Sequence, residues 1–319
     1  DSFYYLKKQA FATVLGIVLM LFVAGMDYHI WQRLAVFGYL AAVALSVAVM
    51  LFGREINGSK RWLALGPFSF QPSEFAKVAL ILFLADLVTK NVKTIGKMWT
   101  LCRIMFWILP IVGLVGASNL STAIIILGIG VILIFVASPK YAQFALMGIA
   151  GACFMGIFLA LESYRLERLA IWRNPEKYEK GYQTLQGLYA IGSGGVFGVG
   201  IGNSVQKLGF VPEAQNDMIF SIICEELGLA GAGIIIFLFL LLIWRFFLIA
   251  SGSRDLFGAL IATGAMAHMM IQVILNIAVV TNTIPNTGIT LPFISYGGTS
   301  VMFLLIEMGL VLSVSQVVD

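Results

Sequence analysis

The chain has 319 residues, of which 60% are hydrophobic and only 11% are charged, whereas about a quarter of the residues in a soluble domain are charged. The net charge is +4, and no basic run with interleaved aromatic residues indicates nucleic-acid binding. Apolar stretches of roughly 20 residues recur along the chain, each long enough to cross a bilayer as a helix. The composition therefore predicts an all-α, polytopic membrane bundle and excludes a soluble globular protein.

Nine membrane-spanning helices are predicted from these stretches. They cover residues 11–27, 34–52, 73–90, 103–117, 120–137, 142–161, 219–248, 256–281 and 299–318. The chain begins at Asp1 without Met or a cleavable signal peptide, so its start is predicted to be a cut within a longer protein. We expect residues 1–319 to form one integral-membrane domain, with 162–217 as its long hydrophilic loop.

The orientation is predicted from Lys and Arg in short loops, which accumulate on the inner side. If residues 1–10 lie outside, the inner loops carry Arg33, Lys90, Lys93, Lys97, Arg103, Lys140, Arg245 and Arg254. The outer short loops then carry the smaller set Lys7, Lys8, Arg54, Lys60 and Arg61. The loop 162–217 is therefore predicted to be extracytoplasmic, together with the polar patches at 57–77, 118–122 and 282–300.

Histidine and cysteine chemistry is not favoured. His29, in a predicted inner loop, and His268, in the middle of a span, have no second ligand at metal-binding spacing. The three cysteines lie far apart in apolar segments and are predicted to be buried free thiols rather than a disulfide framework: Cys102, Cys153 and Cys224. No metal site built from protein ligands is therefore predicted.

A glycine-rich run, AIGSGGVFGVGIGNSVQKLGF at residues 190–210, has two interpretations. It matches neither common phosphate-loop pattern, which favours a flexible or re-entrant surface loop. Consecutive backbone N–H groups can nevertheless bind an anion, and Lys207 could add a positive charge.

Several ionisable residues lie near predicted membrane boundaries. Glu74 and Lys77 are spaced i, i+3 and share one helix face, where isolated charges would be costly. A functional pair and a structural ion pair both fit this spacing.

Arg168 and Trp172, in the stretch RLAIWRNP, favour an anchor at the membrane interface over a binding site.

Asp217 is the main candidate for catalysis. It lies at or just before the first turn of the 219–248 helix, where a carboxylate can cap backbone N–H groups. It follows the polar residues Glu213, Gln215 and Asn216 and precedes an apolar run. At such a boundary burial can raise the pKa of a carboxyl group toward that of a useful base. From the residues alone, capping and catalysis are both open.

The sequence contains four long motifs in a fixed order: SKRWLALGPFSFQPSEFAK, RLAIWRNP, GYQTLQGLYAIGSGGVFGVGIGNSVQKLGFVPEAQNDMIFSIICEELG and IPNTGITLPFISYGGTS. Over the whole chain they resemble the SEDS family (shape, elongation, division and sporulation) of bacterial wall synthesis. The resemblance implies a multi-pass protein of the bacterial cytoplasmic membrane. It also implies ten spans with both ends inside, which fits nine spans if the first family helix is missing.

The resemblance implies a peptidoglycan glycosyltransferase that polymerises lipid II at the outer face of that membrane during division, elongation or sporulation. The implied partners are lipid II, the nascent glycan, membrane lipid and a class B penicillin-binding protein that crosslinks the glycan. The family's essential aspartate, in a P-E-x-x-x-D motif, corresponds to Asp217. The implied substrate-binding residues are Arg61, Glu74, Lys77, Arg168, Trp172, Gln206, Lys207, Glu213, Ser295 and Tyr296.

The implied reaction makes defined chemical demands. The acceptor hydroxyl needs a base, and the departing diphosphate needs positive charge or N–H donors. A single displacement with inversion requires no covalent nucleophile, so one carboxylate is enough. The cationic candidates are Arg61, Lys77 and Lys207, and a divalent cation, Mg²⁺ or Mn²⁺, is a further candidate.

One departure and two alternatives accompany the resemblance. Residues 119–122 read Asn-Leu-Ser-Thr where many members of the family carry Asp-Leu-Gly/Ser-Thr, so no charged carboxylate can act at Asn119.

A lipid II flippase and a non-catalytic scaffold are the alternatives to an enzyme. A flippase should need charged residues through the depth of the membrane, whereas the predicted polar patches gather at one face and favour surface chemistry.

Overall fold

A computed structural model describes residues 3–56, 59–65, 68–145, 148–149 and 169–318. Its helices are α1 (Tyr4–Ala24), α2 (His29–Phe52), α3 (Pro72–Asn91), α4 (Met98–Ser118), α5 (Leu120–Ala137), α6 (Tyr182–Ser193), α7 (Ile219–Gly252), α8 (Leu256–Val280) and α9 (Gly298–Ser315). Residues 142–145 and 169–173 are also helical. Short 3₁₀ turns occupy Val92–Thr94, Pro175–Lys177, Glu179–Gly181 and Gln206–Leu208. The described chain is thus the predicted helical, polytopic fold.

Seven of the described helices are long and apolar enough to cross a membrane, namely α1, α2, α4, α5, α7, α8 and α9. The predicted span 73–90 is present as α3, a helix that also carries charged side chains and is not among the seven. Most of the predicted span 142–161 lies outside the described residues.

The observed helix bounds correct the assignment of some basic residues. Arg33 and Arg103 were predicted in inner loops but lie within α2 and α4, which begin earlier than predicted. Arg245 lies within α7, which begins at Ile219 as predicted and continues to Gly252. His29 was also predicted in a loop but is the first residue of α2. Long basic side chains can extend from a helix end to the membrane surface, so these helices can include polar residues. The predicted orientation itself stays a prediction.

The cysteines differ in part from the prediction. Cys224 is a buried free thiol, whereas Cys102 is a free thiol exposed on α4. An apolar segment predicts burial only if protein covers all of its faces, and α4 leaves one face uncovered by the described chain. Cys153 lies outside the described residues.

A small antiparallel sheet that begins just before the polar patch 57–77 and continues into it was not predicted. It contains β1 (Arg54–Ile56), β2 (Ser59–Leu65) and β3 (Phe68–Phe70), in the order β1-β2-β3. The sequence carried a signal, because an Asn-Gly pair at 57–58 between two short runs is typical of a β-hairpin. β3 ends just before Pro72, the first residue of α3.

The described chain groups into two compact units. Unit 1 contains residues 1–140, 243–271 and 297–319. Within it α3 packs against α2, α4, α5 and α9, and protein covers it on most sides. Because its neighbours cover it, α3 can hold Glu74, Lys77 and Asp86 as buried residues without presenting their charges to lipid.

Helix α2 shows how sequence periodicity sets the packing in unit 1. Its buried residues recur every three to four positions, as one helix face requires: Ala35, Tyr39, Ala42, Ser46 and Val49. The small side chains in this stripe allow the close helix contact common in membranes, here with α3. The opposite face carries exposed Phe37, Leu40 and Leu51, as expected of a helix facing lipid.

Unit 2 contains residues 141–242 and 272–296. Its described part includes α6, the first part of α7, the last turns of α8 and the segment after α8. Of the predicted loop 162–217, the described residues 169–217 belong to this unit and are largely ordered into helical turns. That the loop is extracytoplasmic, and that the whole chain is one domain, stay predictions.

Candidate functional site

Asp217 lies in the turn before α7, which begins at Ile219. Its side chain is half-buried, and Oδ1 accepts a hydrogen bond from Nε2 of Gln183 on α6 at 3.4 Å. The pKa of Asp217 is raised to about 6, chiefly by burial and also by the charge of Glu213, while the N–H groups of Asp217 and Met218 and the Gln183 amide act in the opposite direction. The carboxyl is therefore ionised at neutral pH and still basic enough to accept a proton.

The main chain around Asp217 is held by the segment that follows α8. The buried Asn276 donates from Nδ2 to the carbonyl oxygens of Asp217, at 2.9 Å, and of Ile289, at 2.7 Å. The N–H group of Tyr296 donates to the carbonyl of Gln215 at 2.8 Å. These bonds connect the turn to two other parts of unit 2, so tertiary contacts set the position of the carboxyl group.

A groove of about 680 Å³ opens beside Gln183. It is lined by Glu176, Lys177, Tyr178, Glu179, Lys180, Tyr182, Gln183, Leu185 and Pro212. Tyr178 and Tyr182 are exposed, and an aromatic ring offers an apolar face together with a polar hydroxyl group. Gln183 connects the groove to the carboxyl site, because its Nε2 donates both to Asp217 and to the carbonyl of Pro212, the latter at 3.2 Å.

Helix α7 is interrupted at Gly228, whose φ of 68° and ψ of −167° are not helical. The glycine-rich run forms backbone hydrogen bonds with α7 on both sides of this break, each 3.0 Å long. Before the break, the N–H groups of Val199 and Gly200 donate to the carbonyls of Glu225 and Glu226. After it, the N–H groups of Leu229 and Ala230 donate to the carbonyls of Gly195 and Val196. A Cβ atom at Gly198 would lie 2.1 Å from the carbonyl oxygen of Glu226. The run therefore needs glycine where it packs on α7, and it satisfies the polar groups that the break leaves unpaired.

The anion that this glycine-rich segment binds is a side chain of the protein itself. The buried carboxylate of Glu225 accepts from Oγ of Ser204 at 2.5 Å and from the two backbone N–H groups that follow Ser204. Lys207 contacts Glu226 through Nζ at 2.6 Å. The predicted surface position is confirmed by the exposed side chains of Phe197 and Ile201, whereas the predicted flexible loop is instead a segment hydrogen-bonded to the backbone of α7. The expectation that Lys207 contacts substrate stays a prediction.

Glu74 and Lys77 form the ion pair that their spacing predicts. Oε1 of Glu74 lies 3.0 Å from Nζ of Lys77, and the exposed fractions of the two side chains are 8% and 2%. A second buried pair joins Nδ1 of His268 and Oε2 of Glu307 at 2.7 Å, and His268 interacts electrostatically with Glu74. Unit 1 therefore holds two buried ionisable pairs. A role of Glu74 or Lys77 in substrate binding stays a prediction.

Arg61 and Asn119 lie at the junction of α4 and α5. Nε of Arg61 donates to the carbonyl of Ser118 at 3.1 Å. Oδ1 of Asn119 accepts from the N–H group of Thr122 at 3.3 Å, so Asn119 caps α5. A neutral side chain can fill this capping role, and the structure thus gives Asn119 a function that needs no charge.

Trp172 and Ser295 make contacts within the protein. Nε1 of Trp172 donates to the carbonyl of Asn282 at 2.9 Å. Oγ of the buried Ser295 accepts from the N–H group of Leu291 at 2.7 Å. These contacts give both residues a structural role, and their contact with substrate stays a prediction. Arg168 lies outside the described residues.

Glu213 and Gln206 differ in their relation to Asp217. Glu213 lies in the same turn, has a positive φ of 55° and accepts a hydrogen bond from Asn216. Gln206 belongs to the segment packed on α7, and its Oε1 is buried with no hydrogen-bond partner in the part of the chain that the structure describes. Only Glu213 of these two is placed beside the carboxyl site.

Three carboxamides around Asp217 were not predicted from the sequence. Gln183 contacts the carboxylate directly, Asn276 holds its backbone, and Asn286 donates from Nδ2 to Oε1 of Gln183 at 3.2 Å. One signal was present, because Asn276 interrupts an apolar span, and buried Asn or Gln residues in membrane helices commonly bond to neighbouring segments.

The fold and this site define a multi-pass helical membrane protein with an ionisable carboxylate held just before an apolar helix. The FtsW/RodA/SpoVE family model, described as "Cell cycle protein", matches residues 1–319. The chain therefore belongs to this family, as the four motifs predicted.

Two relatives illustrate the match. Stage V sporulation protein E of Bacillus subtilis (strain 168) is 39% identical over 329 residues, covering 99% of this chain and 88% of the relative. "Probable peptidoglycan glycosyltransferase FtsW" of Trichlorobacter lovleyi is 34% identical over 321 residues, covering 99% of this chain and 84% of the relative.

Solved structures show the same fold. One chain comes from work on "structural coordination of polymerization and crosslinking by a peptidoglycan synthase complex"; it is 29% identical with a TM-score of 0.85, covering 98% of this chain and 89% of that one. Rod shape determining protein RodA of Thermus thermophilus is 29% identical with a TM-score of 0.72, covering 98% of this chain and 87% of that one.

Proposed function

We propose that the protein is a peptidoglycan glycosyltransferase that polymerises lipid II at the outer face of the bacterial cytoplasmic membrane, with Asp217 as general base. The observation that carries the proposal is a half-buried carboxyl group with a pKa of about 6, connected through Gln183 to a groove of about 680 Å³. The FtsW relative is named a probable peptidoglycan glycosyltransferase, which supports the same activity.

The proposed reaction is a single displacement. Asp217 takes the proton of the acceptor sugar hydroxyl while the hydroxyl oxygen forms a bond to the anomeric carbon of the donor. The bond from that carbon to the lipid diphosphate breaks, and the diphosphate leaves with the electron pair. Because attack and departure occur on opposite faces, the α-linked donor gives a β-linked product, as in inverting glycosidases.

A divalent cation is compatible with this site. Mg²⁺ usually binds one or two carboxylates and keeps water or substrate phosphate as its other ligands, and Asp217 and Glu213 lie in one turn. Among the residues that the structure describes, no three His, Cys, Asp or Glu side chains gather as a metal cluster. When bound, the ion would offset charge on the leaving diphosphate. Arg61, Lys77 and Lys207 are proposed for the same task.

The pH dependence of the rate follows from the raised pKa of Asp217. The base works only when ionised, so the polymerisation rate is expected to rise between pH 5 and pH 7 with a midpoint near the pKa of about 6. Below this midpoint the rate should fall about tenfold per pH unit, because one proton blocks the base. Initial rates measured from pH 5 to pH 8.5 check the prediction, and a flat profile would contradict it.

The activity itself is tested with purified protein and lipid II in detergent. We expect glycan chains to form slowly with the protein alone and faster with a class B penicillin-binding protein, the partner suggested by the synthase complex that the fold resembles. A penicillin-binding protein with an inactivated transpeptidase site is the control, since it should still raise the rate. Equal rates with and without every class B partner tested would contradict the proposed partnership.

Transport of lipid II is a second candidate that one observation favours. Buried Glu74 and Asp86 lie 12 residues apart on α3, which corresponds to about 18 Å along a helix. Buried charges are thus distributed along α3 and are not confined to one end of it. Measuring lipid II translocation in proteoliposomes beside polymerisation separates the two activities, because Asp217 variants should affect only polymerisation.

A further inference from the structure

We propose that Asn286 and Gln183 are positioning residues that keep the Asp217 carboxylate oriented and ionised through a directed chain of hydrogen bonds. This inference rests on the proposed function of Asp217 as a base. Asn286 lies in the motif IPNTGITLPFISYGGTS, and neither the resemblance nor the proposed reaction has given it a task.

The chain of hydrogen bonds begins at a turn and ends on the carboxylate. The N–H group of Gly288 donates to Oδ1 of Asn286 at 3.2 Å. Nδ2 of Asn286 then donates to Oε1 of Gln183 at 3.2 Å. Finally, Nε2 of Gln183 donates to Oδ1 of Asp217 at 3.4 Å and to the carbonyl of Pro212 at 3.2 Å.

The direction of this chain is set by the chemistry of its groups. A carboxamide accepts at its oxygen and donates at its nitrogen. Because a backbone N–H can only donate, Asn286 must turn its oxygen to Gly288 and its nitrogen to Gln183. Gln183 must then turn its oxygen to Asn286, which leaves its nitrogen for two acceptors, Asp217 and Pro212. Each amide orientation follows from the one before it.

The same turn lies near the other carboxylate oxygen. Gly288 has a positive φ of +67°, and a Cβ atom placed there would lie 3.7 Å from Oδ2 of Asp217. Residues 286–288 therefore contact one carboxylate oxygen through Gln183 and lie close to the other. Movement of this turn would change the hydrogen bonding and the packing of Asp217 together.

The amide of Gln183 favours the ionised form of Asp217, in opposition to burial and to the charge of Glu213. A donor to the ionised form favours that form, whereas burial and the charge of Glu213 favour the protonated form. The groove beside Gln183 adds charges of both signs, from Glu176, Lys177, Glu179 and Lys180. Without the Gln183 donor, the balance should move toward a protonated carboxyl group, which cannot act as a base.

The first test is Asn286→Asp. The new carboxylate can still accept from Gly288, but it cannot donate to Oε1 of Gln183, so the Gln183 amide is expected to turn and present oxygen to Asp217. The midpoint of the pH–rate profile should then rise by about one unit, because the charged form of Asp217 loses a donor and gains a repulsive neighbour. The ratio of the polymerisation rate at pH 5.5 to the rate at pH 8.5 should therefore be about fivefold to tenfold lower in the variant than in the wild type.

A double-mutant cycle separates orientation from simple charge repulsion. Gln183→Met removes the donor and should itself raise the midpoint by about half a unit. If Asn286 acts through Gln183, adding Asn286→Asp to Gln183→Met should move the midpoint little further. If the new charge acts through space, the second shift should equal the shift in the wild-type background, and that result would overturn the proposal.

Matched controls keep the test decisive. Gln186→Met makes the same substitution three residues further along α6, at another half-buried position, and should leave the midpoint unchanged. Asn286→Ser can accept from Gly288 but is too short to reach Gln183, so it replaces Asn286→Asp if that variant does not fold. Midpoints equal to wild type in both Gln183→Met and the position 286 variant would refute the positioning role.

The failure of this inference differs from the failure of the proposed function. If Asp217→Asn is active or the wild-type rate shows no midpoint near 6, the assignment of the base is wrong. If Asp217→Asn is inactive and the wild-type midpoint is present, but the Gln183 and Asn286 variants share that midpoint, only the positioning role is wrong.

Discussion

Replacing Asp217 with Asn is expected to lower the rate of lipid II polymerisation by about 10²–10⁴-fold, the usual contribution of general acid–base catalysis. Asn is similar in size and can still accept the hydrogen bond from Gln183 through Oδ1, but it cannot take a proton from the acceptor hydroxyl. The loss should be measured as glycan formation from lipid II at pH 8, where the wild-type carboxyl group is ionised. A variant with nearly normal activity would show that Asp217 is not the base.

The same substitution is expected to make the protein more stable near neutral pH. The folded chain binds the Asp217 proton more tightly than an unfolded chain, since the pKa rises from 3.8 to about 6 on folding. Wild-type stability should therefore fall as the pH rises from about 4 to about 6, and stay lower above that window. The Asn variant lacks this loss, which amounts to about 3 kcal/mol in full, of which about 2 kcal/mol falls between pH 4.5 and pH 7.5. Thermal unfolding in detergent at pH 4.5 and pH 7.5 measures the difference.

A carboxylate with the opposite pKa shift provides the control for both measurements. Asp27 in unit 1 is exposed, and its pKa is lowered, chiefly by a hydrogen bond from the backbone N–H of His29. A lowered pKa adds stability that is present above the unfolded value and lost as the pH falls. Asp27→Asn should therefore not raise stability at pH 7.5 and should still polymerise lipid II. An inactive Asp217→Asn variant with lowered thermal stability would indicate misfolding instead.

The helical fold was predictable because its main determinant is local. A run of about 20 apolar residues can satisfy its backbone in a membrane only as a helix, so α1, α2 and α9 follow from composition. The helix ends were less predictable, since polar residues such as His29 can begin a helix when a distant side chain binds them. Here Asp255, far along the chain, contacts His29 at 2.7 Å.

The candidate site was predictable only at its centre. Asp217 stands out because a carboxylate precedes an apolar run, and that pattern is local. Its partners are not local: Gln183 lies 34 residues away, Asn276 59 residues away, and the pair Asn286–Gln183 is separated by 103 residues. Each is one polar residue among many in its segment, and only the tertiary structure selects which of them meet.

The glycine-rich run binds an anion through its backbone N–H groups, but the sequence did not indicate which anion. Its backbone N–H groups do bind an anion, as the sequence allowed, but that anion is Glu225 rather than a phosphate. The break at Gly228 explains the arrangement, because an interrupted helix needs partners for its unpaired backbone groups. No local pattern in residues 190–210 indicates that an interrupted helix lies against them.

Replacing Lys77 with Met is expected to destabilise the protein by about 3–5 kcal/mol, because it removes the cation in direct contact with the buried carboxylate of Glu74. Oε1 of Glu74 lies 3.0 Å from Lys77. Its second oxygen, Oε2, is buried with no hydrogen-bond partner among the described residues. The variant should therefore unfold at a markedly lower temperature in detergent.

The same helix offers a matched control. Lys90 lies 2.6 Å from the buried carboxylate of Asp86, but the Lys90 side chain is 62% exposed. Asp86 also accepts a hydrogen bond from Nε2 of Gln32 at 3.0 Å, and this partner remains when Lys90 is replaced. Lys90→Met should therefore lower the unfolding temperature less than Lys77→Met does. A similar loss in both variants would show that the cost comes from placing Met on α3 and not from breaking a buried pair.

The double variant Glu74→Gln/Lys77→Met separates structure from function at this pair. Replacing both members of a buried ion pair is often neutral for stability, so the double variant should recover most of the stability that Lys77→Met loses. We expect polymerisation to stay severely reduced, because the pair lies in the first turns of α3, next to the polar patch 57–77, and is implied to bind substrate. If stability and polymerisation both return, the pair serves only to neutralise its own charges inside unit 1. If stability returns without activity, at least one of the two charges must act on the substrate, since the fold no longer depends on either.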